Sequence, residues 1–291
     1  METIAVREYD LVANFFRPST SGKHPGIIVI GGAGGGLSST SAVGSLLAEW
    51  GYATLALAYF GVEYLPTRLQ EIPLEYFKRA IIWLRAHPSV APSKIGLVGT
   101  SKGGEAALLV GATYGEICAV VAYSPSHVVF QSIDEAWSDS SMSKSSWTLH
   151  GEPVPYVPFR MDNDCIEHYG FYLGLYLASL QDRQAVGRAV IPVERINGPV
   201  LLVSGADDAI WPSSMMCERV VERLKQHNFR FSFQHLRYDG AGHLLAGPSR
   251  LTPAPSISAG GMAFGGTENA NAAARDDAWT KVCGFFGAYL K

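Results

Sequence analysis

The sequence contains little cysteine and little charge. Four of its 291 residues are cysteines, at positions 118, 165, 217 and 283, and they are widely separated without metal-ligand spacing. In a chain of this size that pattern indicates reduced, buried thiols, so we expect neither a disulfide framework nor a metal site. Charged residues make up 17% of the chain, and the net charge of -3 comes with no basic stripe. We therefore expect no nucleic-acid partner.

The sequence also lacks a hydrophobic run long enough to cross a bilayer, and its first residues, METIAVREYD, do not resemble a signal peptide. These absences predict a cytoplasmic protein with no membrane partner. A length of 291 residues and an apolar fraction of 47% are enough for one large hydrophobic core. We therefore expect a single domain over residues 1–291.

Short apolar runs recur along the chain and alternate with helical patterns. The runs are continuous, as in strands covered on both faces, and they lie at 26–30, 53–58, 94–98, 118–123 and 199–204. Helical patterns occur at 41–50, 74–84 and 105–112. Strand and helix in alternation predict an α/β fold whose central sheet is mostly parallel and flanked by helices.

The C-terminal third has less regular patterns. Three phenylalanines alternate with polar residues over 229–233 and predict a strand near a sheet edge. Asp276 and Asp277 are well placed for the N-terminal dipole of the last helix. Residues 247–273 are rich in Gly, Ala, Pro and Ser and predict a long surface loop.

Residues 124–198 separate the expected strand at 118–123 from the one at 199–204. A connection this long predicts a cap or lid inserted after the sixth strand. Its aromatic residues Trp137, Trp147 and Tyr156 are candidates for contact with substrate, and packing of the cap onto the core is the alternative role. His127 follows the carboxyl end of a strand and is a further substrate-binding candidate, with a satisfied polar contact as its alternative.

One serine in the sequence GLVGTSKGGEAAL, residues 96–108, has a glycine two residues away on each side. A strand that turns sharply into a helix forces the residue at the turn into a left-handed backbone conformation, with room nearby only for very small side chains. Gly99 and Gly103 provide that room. The pattern predicts that Ser101 is a nucleophile at the carboxyl edge of a parallel sheet and the N-terminal end of a helix.

A serine nucleophile needs a base, and the base needs a group that orients it. Asp207 and Asp208 follow a predicted strand, and His243 lies in a turn of small residues after a later strand. The order Ser101, Asp208, His243 is that of an α/β-hydrolase catalytic triad. We favour Asp208 over Asp207 because it lies three residues after Gly205, a spacing associated with the acid turn of this fold.

The glycine-rich run GGAGGG at 31–36 follows another predicted strand. No G-K-[ST] follows it and the G-x-G-x-x-G spacing is absent, so we expect neither phosphate binding nor a cofactor. A backbone N–H of this run can instead form an oxyanion hole with the N–H of the residue after the nucleophile, Lys102. We assign Ala33 to this role, with Gly34 as the second choice. The side chain of Lys102 is expected to be exposed.

Five longer segments occur in a characteristic order. They are GTSKGGEAALL, AVVAYSPSHVVF, SSWTLHGEPVPYVP, IPVERINGPVLLVSGADDAIWPSS and YDGAGHLL. Together, from about Leu11 to the C-terminus, they resemble the catalytic domain of the acyl-CoA thioesterase and bile acid-CoA:amino acid N-acyltransferase family. The resemblance implies an α/β-hydrolase, similar to dienelactone hydrolases, that attacks an acyl thioester with Ser101, Asp208 and His243 at the triad positions.

The sequence departs from that family in two respects. Animal members carry a β-sandwich domain ahead of the catalytic one, and we expect no such domain here, because the resemblance already begins near Leu11. The amino-acid-transferring members have cysteine at the nucleophile position, whereas Ser101 resembles the hydrolysing members. We therefore expect a serine hydrolase that cleaves a small-molecule acyl thioester, of CoA or a related carrier.

Three other functions stay open. They are acyl transfer to an amine or alcohol, hydrolysis of esters or lactones, and a role as a ligand receptor without catalytic activity. A second copy of the chain, in a homodimer, is a candidate partner.

Overall fold

We describe the protein from a computed structural model, which covers residues 1–133, 143–252, 255–257 and 261–291. The strands of this part of the chain are β1 (Glu2–Val6), β2 (Val12–Arg17), β3 (His24–Ile30), β4 (Ala53–Ala58), β5 (Ile72–Pro73), β6 (Val90–Thr100), β7 (Ala119–Tyr123), β8 (Trp147–Leu149), β9 (Glu152–Pro153), β10 (Val200–Gly205) and β11 (Phe233–Tyr238). Its α-helices are α1 (Ser38–Glu49), α2 (Leu74–Ala86), α3 (Lys102–Thr113), α4 (Asn163–Tyr169), α5 (Phe171–Ser179), α6 (Arg183–Ala189), α7 (Ser213–Gln226) and α8 (Glu268–Leu290).

An eight-stranded sheet forms the centre of the molecule, in the order β1-β2-β4-β3-β6-β7-β10-β11. Strand β2 is antiparallel to both of its neighbours, and the other neighbouring pairs are parallel. Strands β4, β7 and β10 are buried along their whole length, as their continuous apolar sequences predict. The predicted mostly parallel sheet flanked by helices is confirmed.

The sheet separates two hydrophobic cores. On one face, α2, α3 and α7 contribute residues such as Phe77, Leu108 and Val220. On the other face, α1 and α8 contribute residues such as Leu47 and Phe286. Because the strands are parallel, the loops that follow β3, β6, β7, β10 and β11 meet at one edge of the sheet.

The segment 124–198 follows β7, the sixth strand of the large sheet. It contains α4 to α6 and the strands β8 and β9, and β8 also pairs with β5, so these three strands form a small second sheet. Several of its apolar residues, Phe130 and Tyr176 among them, form a separate core with Trp211 and Met216 from the chain after β10. The described part of the segment therefore packs above the carboxyl edge of the sheet, and its role as a cap stays a prediction.

Two predicted boundaries in the C-terminal third are wrong. Strand β11 begins at Phe233, because its partner β10 begins at Val200 and pairs first with that residue. Helix α8 begins at Glu268, where the side chain of Thr267 accepts a hydrogen bond from the Ala270 N–H. The predicted loop 247–273 therefore ends at Thr267, because α8 begins at Glu268.

Asp276 and Asp277 therefore lie inside α8 rather than at its start. Asp276 accepts hydrogen bonds from the backbone and hydroxyl of Ser249, and Asp277 accepts them from Tyr238 and Lys281. In the part of the chain that the structure describes, no helix has both the length and the apolar character needed to cross a membrane.

Candidate active site

Ser101 lies at the turn between β6 and α3 with a backbone φ of +57°. This left-handed conformation is uncommon for a residue with a Cβ atom. The turn has no room for a side chain at Gly99 or Gly103. A Cβ atom on Gly99 would lie 1.9 Å from the Gly103 carbonyl oxygen, and a Cβ atom on Gly103 would lie 2.2 Å from the Gly31 carbonyl oxygen. The Ser101 N–H donates to the Tyr123 carbonyl at 2.8 Å, which ties the turn to β7.

Asp208 and His243 come together at the same edge of the sheet. Nδ1 of His243 lies 2.8 Å from Oδ2 of Asp208. The carboxylate also accepts hydrogen bonds from the Ile210 and Trp211 N–H groups, at 2.9 and 3.2 Å, and from the Ser213 hydroxyl at 2.6 Å. With four donors, the buried carboxylate is satisfied as an anion and holds the imidazole in one orientation.

The backbone of the histidine loop is fixed from several sides. The His243 N–H donates to the Phe264 carbonyl at 2.8 Å, and the His243 carbonyl accepts from the Ser124 hydroxyl at 2.8 Å. The close approach of this loop to β10 depends on Gly205, where a Cβ would lie 2.2 Å from the Ala241 carbonyl oxygen. Asp207 is exposed, and its N–H donates to that carbonyl.

A cavity of about 590 Å³ opens beside these residues, and both Ser101 and His243 border it. Its volume is in the range of small-molecule sites. Most of its walls are apolar, and they come from the sheet, α1, segment 124–198, the loop after β10 and the loops around residues 244–264. Side chains from these parts are Val29, Val43, Val98, Ile133, Tyr176, Ile210, Leu244, Leu251 and Phe264.

The glycine-rich run after β3 borders the same cavity. Ala33, Gly34 and Lys102, the three residues predicted to form the oxyanion hole, all line it. Gly32 lies directly against the serine, because a Cβ there would be 3.1 Å from the Ser101 Cβ. The Tyr59 hydroxyl donates to the Gly31 carbonyl at 2.8 Å and so holds the start of the run.

The predicted exposure of the Lys102 side chain is wrong. It is 1% exposed, and its Nζ lies 2.5 Å from Oε1 of Glu105, which is fully buried. Burial lowers the pKa of Lys102 and raises the pKa of Glu105, while the attraction between the two groups opposes both shifts. The indole Nε1 of Trp147 also donates to Glu105, at 2.7 Å.

Of the four residues predicted to contact substrate, three do not line this cavity, and the fourth lies outside the described residues. Trp147 is fully buried in the core against Glu105, away from the cavity. Tyr156 donates its hydroxyl proton to the Ser143 carbonyl at 2.8 Å and packs against the core. Trp137 lies outside the described residues.

His127 borders a different, smaller cavity of about 250 Å³, beside Arg219 and Glu222. Desolvation by burial lowers its pKa to about 4, and Arg219 contributes to the shift. It follows the strand edge, but the backbone turns it toward α7 instead of toward Ser101.

Sequence reasoning had not selected the aromatic residues that border the large cavity. Tyr172 and Tyr176 of α5 line it. They are four residues apart, so they share a helix face, and that periodicity was the signal that could have identified them. Within the described ranges, no group of three or more His, Cys, Asp or Glu side chains is placed to hold a metal ion.

Known structures with similar folds include dienelactone hydrolase-like proteins. One, a dienelactone hydrolase-like promiscuous phosphotriesterase from metagenomic libraries, has a TM-score of 0.63 at 18% identity, with 100% of this chain and 99% of that one covered. Another, a dienelactone hydrolase from Klebsiella pneumoniae subsp. pneumoniae described as putative, has a TM-score of 0.57 at 16% identity, with 96% and 93% covered. At these identities the likeness shows the fold, which is that of the α/β-hydrolases.

Curated mouse proteins are closer in sequence. Acyl-coenzyme A amino acid N-acyltransferase 1 is 33% identical over 94% of this chain and 62% of its own length. Peroxisomal succinyl-coenzyme A thioesterase is 32% identical over 99% of this chain and 65% of its own length. The chain thus spans less than two thirds of these relatives. The family model described as "BAAT / Acyl-CoA thioester hydrolase C terminal" matches residues 72–291, so the chain belongs to that family.

Proposed function

We propose that this protein hydrolyses acyl thioesters, of CoA or a related carrier, through an acyl-serine intermediate. The observation that supports the proposal is that Ser101, in a left-handed turn, and His243, paired with Asp208, line the same largely apolar cavity. A cavity of this kind suits an acyl chain, because few polar groups line it. The names of the relatives, which include thioesterases, support the choice of thioester.

In the first step, Nε2 of His243 takes the hydroxyl proton of Ser101 while the serine oxygen attacks the thioester carbonyl carbon. Nδ1–H of the imidazole donates to Asp208, which stabilises the imidazolium that forms. Backbone N–H groups of Lys102 and Ala33 would bind the developing oxyanion, since both residues border the cavity beside the serine.

In the second step, the tetrahedral intermediate collapses, the carbon–sulfur bond breaks, and the imidazolium returns its proton to the sulfur. A thiol has a pKa of about 8.5, so it leaves with less protonation than an amine would need. Water then attacks the acyl-serine with His243 as base, which releases the carboxylic acid and restores the hydroxyl. Segment 124–198, whose Tyr176 borders the cavity, would act as a cap over the acyl chain.

Transfer of the acyl group to an amine is the second candidate, because one relative is an amino acid N-acyltransferase. It uses the same acyl-serine and differs only in the acceptor. Hydrolysis is preferred because Ser101 stands where the resemblance places cysteine in the amino-acid-transferring members.

Release of free thiol from a panel of acyl-CoAs tests the proposal, with the Ser101→Ala variant alongside. We expect steady thiol release by the unaltered protein and a loss of at least about 10³-fold in the variant. Equal rates in the two proteins would remove Ser101 from the mechanism. A product conjugated to added glycine or taurine would reassign the protein as a transferase.

Oxygen esters matched in acyl chain test the ester-hydrolase alternative in the same assay. Turnover of esters at or above the rate of thioesters would favour that alternative.

The homodimer and the cytoplasmic location also remain predictions. Sedimentation of the purified protein would check the first, and microscopy of a tagged chain would check the second.

A further inference from the structure

A buried carboxylate lies one helical turn after the candidate nucleophile. Glu105 is fully buried, and its Oε1 accepts from Nζ of Lys102 at 2.5 Å and from Nε1 of Trp147 at 2.7 Å. Its Oε2 accepts from the Phe130 N–H at 3.4 Å. Glu105 therefore joins the turn after Ser101 to two separate parts of segment 124–198.

The same carboxylate is connected to the glycine-rich run on the other side of the serine. The indole of Trp147 packs against the ring of Tyr59, with ring centroids 5.7 Å apart. The Tyr59 hydroxyl in turn donates to the Gly31 carbonyl at 2.8 Å, two residues before Ala33. Each of these aromatic side chains is almost wholly buried, so the connection is held by packing on all sides.

These contacts reach both backbone donors of the oxyanion hole that the proposed function requires. Lys102 supplies one N–H, and its side chain ends on Glu105. Ala33 supplies the other, in a run fixed through Tyr59. Donors aimed at an oxyanion stabilise it only if they are held in place before the reaction, because displacement by about 1 Å can cost about 100-fold in rate.

The charges of the pair also matter for the reaction. A lone carboxylate so near the serine would oppose the negative charge that forms on the substrate oxygen. The ammonium group of Lys102 balances it, and both side chains are removed from solvent. A buried ion pair is weak evidence of a role in stability, since its replacement by apolar residues of similar volume is often neutral or stabilising.

We propose that Glu105, acting through Lys102 on one side and through Trp147 and Tyr59 on the other, is a positioning residue that fixes both donors of the oxyanion hole. This inference rests on the proposed function. Glu105, Trp147 and Tyr59 would then contribute to transition-state stabilisation without contacting substrate. Of this group only Lys102 contacts the reacting atoms, through its backbone N–H.

Tyr59→Phe is the sharpest test, because it removes one buried hydroxyl and keeps the ring against Trp147. We expect kcat to fall about 10-fold or more while KM stays within about twofold, since ground-state binding does not use the oxyanion hole. Tyr52→Phe is the matched control. Tyr52 is also buried, but its hydroxyl has no hydrogen-bond partner in the described part of the chain, so its loss should leave kcat unchanged.

The second variant, Lys102→Met with Glu105→Gln, removes both charges and keeps an oxygen that can accept from Trp147. We expect a similar fall in kcat in protein that is folded, as judged by circular dichroism and by titration of reactive serine with a fluorophosphonate. Should the double variant fail to fold, Tyr59→Phe and Trp147→Phe decide the question.

Affinity for a transition-state analogue separates positioning from a merely structural role. An acyl-CoA analogue with a trifluoromethyl ketone in place of the thioester carbonyl forms a charged adduct with the serine. We expect its inhibition constant to rise in proportion to the loss in kcat/KM, while a thioether analogue without the carbonyl binds as before. Unchanged inhibition constants and kcat in the variants would overturn the positioning role but leave thioester hydrolysis intact. A wild-type protein that releases no thiol would instead overturn the proposed function.

Discussion

Nδ1 of His243 lies 2.8 Å from Oδ2 of Asp208, although 35 residues separate them in the sequence. The two side chains follow neighbouring strands, β11 and β10, which pair in parallel up to Gly205 and Tyr238. Parallel pairing brings the loops after both strands to one edge, so the contact is a consequence of the sheet. Asp207, the adjacent carboxylate, is exposed and makes its backbone hydrogen bond to Ala241.

Asp208→Asn should lower kcat for thioester hydrolysis by about 10³- to 10⁴-fold. The amide cannot hold the imidazole in the tautomer that accepts the serine proton, as happens when the corresponding residue of a serine protease is changed. Asp207→Asn makes the same chemical change at the neighbouring position and should retain activity within about threefold. Steady-state kinetics on both variants check the assignment, and a larger loss at position 207 would reverse it.

Gly103→Ala should destabilise the fold by several kcal/mol, on the order of 3 or more, because the added Cβ would lie 2.2 Å from the Gly31 carbonyl oxygen. Backbone atoms cannot move aside cheaply. Gly187→Ala is the control, since Gly187 is an exposed residue of α6 with nothing within 4 Å of an added Cβ. That change should stabilise the protein by about 0.5–1 kcal/mol. Urea unfolding measures both, and a Gly103 variant as stable as wild type would contradict the close-packing argument.

The parts of the site that sequence could predict are those fixed by local rules. Ser101 and Asp208 each follow a continuous apolar strand, and parallel strands end at one edge. Gly99 and Gly103 predict a tight turn, and φ of +57° at Ser101 agrees with that turn. The start of α8 is also predictable from the sequence, because Thr267 is a preferred N-cap residue and precedes an alanine-rich helical stretch.

Other features depend on partners that are distant in sequence. Lys102 is buried because Glu105 and Trp147 surround its ammonium group, and the indole comes from 45 residues further along the chain. Composition identifies Trp147 and Tyr156 as aromatic residues of one segment, but it carries no information on whether either of them lines the cavity. Neither does, and the reason is the way in which the described part of segment 124–198 packs on the sheet.

The cavity wall beside the histidine loop should set the acyl chain length. Ala246→Leu would place three more carbon atoms on a residue that lines the cavity. Exclusion of two methylene groups costs about 1.6 kcal/mol, so kcat/KM for palmitoyl-CoA should fall about 10-fold while that for acetyl-CoA stays near wild type. Ala273→Leu, at an exposed position of α8, is the control. Equal losses for both substrates would mean that the acyl chain does not lie along this wall.

The buried His127 should lower the free energy of unfolding of the protein in mildly acidic solution. Desolvation by burial lowers its pKa from the ordinary value of 6.5 to about 4, with a further contribution from Arg219 that Glu222 opposes. The folded protein therefore keeps His127 neutral over a pH range in which the unfolded chain protonates it. Its contribution to stability is fully present above pH 6.5 and is lost as the pH falls from 6.5 towards 4.

His127→Gln should remove that loss. We expect the free energy of unfolding of the wild-type protein to fall by about 1–3 kcal/mol more than that of the variant over this pH range. His168→Gln, at an exposed position of α4, is the control and should follow the wild type. Urea unfolding at a series of pH values gives all three curves. Parallel curves for the wild type and the His127 variant would show that the imidazole titrates alike in the folded and unfolded chains.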